Sequence, residues 1–139
     1  MNLKRIIDIY ETVKSKIPGT YPRPSLAFFE NEEIMLKNNK MRVNKDENVY
    51  AVVNPETYTI NLPLSMTFEY TNSKGEDYTK TFPLNKFSDE EIAHTLLHEI
   101  AHLYFGERYG YGSKQYSDEK GCDRFADRWV RKMKASRLI

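Results

Sequence analysis

The chain has a single cysteine, Cys122, in 139 residues, so no internal disulfide can form and a reducing compartment is the simpler setting. It also lacks charge of one sign. Its 21 basic and 20 acidic residues nearly cancel, leaving no global field to draw it to nucleic acid or to an acidic membrane surface. No apolar run approaches the roughly 18 residues a bilayer span requires. Lys4, Arg5 and Asp8 interrupt the apolar pattern of the first ten residues, and no small-residue cleavage site follows. These features speak against a secretory leader and for a cytoplasmic location. No internal repeat or low-complexity linker divides the chain. What is there, 40% apolar and 29% charged residues, describes a globular protein, and the length predicts one domain over residues 1–139.

Leu3, Ile6, Ile7, Tyr10, Val13 and Ile17 recur at helical spacing until Pro18-Gly19, which predicts an amphipathic helix over 2–17. Ser25 to Glu30 reads as a first strand. Residues 31–46, rich in Asn and Lys, carry no clear pattern. Strand-like runs at 50–53 and 58–62 flank the turn sequence Asn54-Pro55-Glu56-Thr57, predicting a hairpin. A second, more exposed hairpin pairs Met66–Thr71 with Tyr78–Phe82 around a bend at Ser73-Lys74-Gly75. Ser88-Asp89-Glu90-Glu91 is a capping box that opens a helix expected to end at Gly106. The Gly- and Tyr-rich stretch 106–117 then reads as a loop bordering a cleft. A last helix, about Ser117 to Lys134, gathers Cys122, Phe125, Ala126, Trp129, Val130 and Met133 on one face.

All three histidines lie between 94 and 102, and two belong to His98-Glu99-Ile100-Ala101-His102. At about 100° per residue, His98 and His102 stand one turn apart and about 40° around a helix, so both rings can reach one tetrahedral zinc. Zinc lowers the pKa of a coordinated water and polarises a carbonyl; a carboxylate beside it takes the water proton and passes it to the leaving amine. Glu99 is placed for that task, and a structural zinc site would have no use for such a spare carboxylate. The remaining circumference, with Ile92, Ala93, Leu96, Leu97, Ile100 and Leu103, is that of a helix buried except for its His/Glu stripe.

Two imidazoles and a water leave one ligand to be supplied. Glu119, at the start of the last helix, is the first choice, and Asp123, one turn on, can accept the free ring N–H of His98 and fix its tautomer. Asp123, Cys122 and Asp118 stay open as alternative ligands; Cys122 also reads simply as a small buried apolar residue. His94 sits one turn before His98, at the cleft rim. A donor is needed for the charge that builds on the carbonyl oxygen. Tyr109, Tyr111, Tyr116 and His94 all qualify.

On these residues the chain resembles the gluzincin group of zinc metallopeptidases, which pair His-Glu-x-x-His with a downstream Glu-x-x-x-Asp. Within that group it is most similar to the ImmA/IrrE-type domain, through the N-terminal helix, the hairpin leading into the metal helix and the closing segment Glu119 to Asp123 with Phe125-Ala126. That segment usually reads Glu-x-Glu-Ala-Asn/Asp-x-Phe-Ala; here Gly121 and Cys122 replace its second Glu and its Ala, while hairpin 66–82 reads as an insertion. The resemblance implies a zincin-like α+β fold: an N-terminal helix, a small mixed or antiparallel sheet, a central metal-binding helix and a C-terminal helix. It also implies one zinc per chain and cleavage of a dedicated protein partner, bound by strand addition along 58–62.

Two other functions compete. One is a module of the same fold that holds zinc without turnover. The other is nucleic-acid binding through Arg124, Arg128, Arg131, Lys132, Lys134 and Arg137, which reads more simply as a solvated helix face, since no helix-turn-helix or finger spacing accompanies it.

Overall fold

Lys4–Lys16 winds into helix α1 in the computed structural model, which describes residues 2–42 and 47–139. Its buried stripe is Ile6, Ile9, Tyr10 and Val13. Ile7 lies about 100° round from Ile6, outside that arc, and stays 42% exposed. The Tyr10 hydroxyl donates to the carbonyl of Pro24, tying α1 to the chain entering the first strand.

Strand β1 (Ser25–Phe29) is followed by a short helix α2 (Glu32–Asn38), in a stretch whose sequence shows no clear pattern. The Asn31 side chain caps it by accepting from the Ile34 amide at 2.9 Å, and Met35 and Leu36 anchor it in the core. The rest of the unassigned stretch, 43–46, lies outside the described residues. Strands β2 (Val52–Asn54) and β3 (Thr59–Pro63) form the first hairpin, with Val53 opposite Ile60. β1 then pairs in parallel with the other side of β3, giving the order β1-β3-β2. This corrects the expected peptide track. Both edges of residues 59–63 are hydrogen-bonded inside the sheet, so no further strand can add there. The outer edges of β1 and β2, which no strand covers among the described residues, are the ones available.

β4 (Ser65–Thr71) and β5 (Asp77–Pro83) make the second hairpin, closed where Asn72 Oδ1 accepts from the amides of Lys74 and Glu76, both at 2.9 Å. A 3₁₀ turn, Leu84–Lys86, leads from it to helix α3 (Asp89–Tyr109). The capping box forms: Ser88 Oγ accepts from the Glu91 amide at 3.1 Å, and Glu91 Oε2 accepts from the Ser88 amide at 3.4 Å. α3 runs through the middle of the core, burying Ile92, Ala93, Leu96, Leu97, Ile100 and Leu103 against α1, the sheet and the last helix.

Helix α3 continues one turn beyond the expected stop. Gly106 is helical and buried, and a Cβ there would lie 2.6 Å from the Tyr111 ring, so this glycine serves close packing rather than termination. Gly110, at φ +98°, ends the helix instead. The expected loop contains a short helix α4 (Lys114–Ser117), and the last helix, α5 (Glu119–Ala135), starts two residues later than predicted. Cys122, Ala126, Val130 and Met133 are its buried face. The architecture is mixed α+β, and no helix among the described residues is long and apolar enough to cross a membrane.

Candidate metal centre

The site forms where α3 and α5 run side by side. His94, His98 and His102 step up α3 one turn at a time, while Asp127, Asp123 and Glu119 step down α5 at the same interval. The facing groups meet as rungs. His94 Nε2 is 2.8 Å from Asp127 Oδ1, and His98 Nδ1 is 2.7 Å from Asp123 Oδ1. Glu119 spans the last pair, with Oε2 2.7 Å from His98 Nε2 and Oε1 3.2 Å from His102 Nε2.

The other ring nitrogen of His102, Nδ1, lies 2.5 Å from the carbonyl oxygen of Tyr116. α4 holds that carbonyl in place through its Ser113 cap, whose hydroxyl accepts from the Tyr116 amide at 3.2 Å. Both imidazoles are therefore supported at Nδ1 by an acceptor, so that with an ion at Nε2 the ring proton would be held at Nδ1. The donor atoms of His98, His102 and Glu119 all lie within 4.8 Å of one another, the one such ligand group among the described residues. Two imidazole nitrogens and a carboxylate oxygen suit a divalent ion of intermediate softness. These residues fit a metal.

The alternative ligands fall elsewhere. Asp123 stands behind the His98 ring rather than beside Glu119. Cys122 is fully buried on the core face of α5, and its thiol is pushed up to about 12, by burial first and then by the charge of Glu119. Asp118 lies over Gly121 and pairs with Arg124 at 3.7 Å.

Glu99 is 8% exposed and lines the same cleft. Burial pushes its carboxyl up to about 8, the charge of Glu119 adds to the rise, and a backbone hydrogen bond from Val53 acts in the opposite sense. That contact sets the carboxyl against β2. The cleft encloses about 700 Å³ between residues 47–53 on one side and α3, α4 and α5 on the other. Glu32 fastens the first wall, its carboxylate accepting from the Val49 amide at 2.7 Å and from Asn48 Nδ2 at 3.1 Å.

Of the four expected oxyanion donors, the structure brings two to the cleft: His94 and Tyr116 line it. Tyr109 is 49% exposed and packs on Phe105, while Tyr111 donates its hydroxyl to Glu107 at 3.1 Å and covers Gly106. Three participants were not expected from the sequence. Asp127 was within reach of it, since the four-residue interval that marks His94, His98 and His102 recurs in Glu119, Asp123 and Asp127. The backbone groups of Tyr116 and Val53 leave no trace in side-chain identity. No protein-family model, curated protein or solved structure matches the chain.

Proposed function

We propose that the protein is a zinc metallopeptidase of zincin-like fold, of the gluzincin group and similar to the ImmA/IrrE-type domain, acting in the cytoplasm on a peptide segment of a protein partner. The observation that carries this reading is the convergence of His98 Nε2, His102 Nε2 and Glu119 on one point of a cleft that Glu99 also lines. Zinc, when bound, supplies Lewis acidity toward water and carbonyl oxygen.

The chain's own groups then have separate tasks. Asp123 and the Tyr116 carbonyl orient the two rings from Nδ1, so that admitting an ion would fall to the exposed Glu119 side chain, now 2.7 Å from His98 Nε2. Glu99, unligated and shielded from bulk water, takes a proton at its carboxylate and returns it to the departing amine. His94 or Tyr116 donates to the oxygen on which charge builds. A peptide in extended form lies along the outer edge of β2, replacing the 58–62 track with the edge that faces the cleft.

The test compares the zinc-loaded protein with Glu99→Gln on a mixed peptide library read by mass spectrometry. Cleavage by the parent, abolished by chelation and reduced at least about a thousandfold in a variant that still binds one zinc, supports the enzyme. Full zinc occupancy with no cleavage in either protein leaves the non-catalytic zinc module in its place.

A further inference from the structure

A second cavity, of about 900 Å³, opens beside the metal cleft along the N-terminal half of α3. Tyr50, His94 and Thr95 line both spaces, so the two adjoin across these three side chains. Its floor is apolar: Leu62 from β3, Met66 from the start of β4, Leu84 from the 3₁₀ turn after β5, Ile92 from α3 and Val130 from α5, all buried. Phe87 adds an aromatic wall that meets Tyr50 edge to face, with ring centroids 6.3 Å apart.

The acidic groups at the mouth have partners of their own, and Arg131 is the remaining charge that lines it. Glu90 pairs with Lys134 at 3.1 Å, Asp127 with His94 at 2.8 Å, and Glu91 is taken by the helix cap. Recognition at the floor is therefore left to apolar contact. The space has room for a bulky side chain together with the backbone that carries it.

Its place along α3 also sets which side chain can arrive. Ile92 precedes His98 by six residues, about 9 Å of helix at 1.5 Å per residue. An extended peptide covers that distance in about three residues at ~3.3 Å each. We propose that this cavity receives a large apolar side chain, Phe or Leu in type, of a peptide lying in the metal cleft, about three residues from the bond held at the metal site. The inference rests on the peptidase reading for the position of that bond; the preference itself can be read from binding alone. It also gives the second hairpin a role, since Met66 of β4 and the turn that follows β5 supply part of the floor.

The test uses dodecapeptides in which one Phe is moved stepwise through an Ala/Ser/Lys background. Cleavage is followed with the zinc-loaded parent, and binding by fluorescence anisotropy with zinc-loaded Glu99→Gln. The expected result is a preference for Phe over Ala of about tenfold or more at one position about three residues from the cut, with the same peptides bound more tightly. Val130→Phe fills the floor and reduces the preference to within about threefold. Tyr50→Ala, at the exposed mouth, lowers it without altering the core and serves where Val130→Phe does not fold.

Cleavage with no Phe preference at any position overturns the cavity assignment and leaves the peptidase standing. Selective binding without cleavage, sensitive to the two substitutions, supports the cavity and sinks the peptidase. Neither cleavage nor selective binding overturns both.

Discussion

The imidazole of His94 meets the carboxylate of Asp127 at 2.8 Å, one rung beyond the 2.7 Å contact of His98 with Asp123. The two rungs look alike and differ in consequence. Behind His98 the carboxylate supports a ring whose Nε2 faces the metal position; His94 lies outside the donor group. Asp123→Asn is therefore expected to weaken zinc affinity by about 10–100-fold. Asp127→Asn should leave that affinity within about twofold of the parent. Competition against a chromophoric chelator reads both, and equal losses would mean that the ladder acts only as helix packing.

Glu99 gives a pH signature in the metal-free protein. Its carboxyl sits at about 8 when folded, against the ordinary 4.5. Between these values the folded protein keeps a proton that the unfolded chain has released, so the free energy of unfolding falls as pH rises through the window. Below about 4.5 both forms are protonated and the burden is absent; above about 8 it is complete, on the order of a few kcal/mol. Glu99→Gln carries no such burden. In chelator, urea unfolding of the variant is expected to gain steadily on the parent from pH 5 to 8, and a gap independent of pH would refute the assignment.

Cys122 separates a buried thiol from a ligand. It is fully buried and its thiol is pushed up to about 12, so an aromatic disulfide reagent should fail to label the folded protein and label it fully in urea. Cys122→Ala leaves a small void beside Ala126 and costs about 1 kcal/mol. Zinc affinity should not move. A loss of tenfold or more would place the thiol among the ligands.

Much of this site was legible because it is written in local, periodic signals. The Ser88 and Glu91 cap, the apolar wrap of α3 and the one-turn spacing of His98 and His102 all lie within a single helix. Glu119 and Asp123 follow from the same arithmetic on a second helix. The sheet order was not legible, because β1 reaches β3 across the 34 positions from Leu26 to its partner Ile60, and nothing local announces a parallel pairing. That one pairing moved the accessible edges from 58–62 to β1 and β2. Helix α2 escaped because seven residues with one buried pair, Met35 and Leu36, are too short for a period to show.

Gly106 was misread for a different reason, and the correction can be tested. Glycine inside a helix costs roughly 1 kcal/mol against alanine, so by propensity alone Gly106→Ala should stabilise. In the fold a Cβ at this position would lie 2.6 Å and 2.7 Å from atoms of the Tyr111 ring. That ring packs edge to face on Tyr116, whose carbonyl orients His102. Gly106→Ala is therefore expected to lower stability by about 1–3 kcal/mol and to weaken zinc binding as the 110–117 segment shifts. Tyr111→Ala in the same chain removes the clash, so the double variant should recover part of both losses. Thermal melts and zinc titrations of the two single variants and the double check this, and strict additivity would show that the glycine and the ring do not compete for the same space.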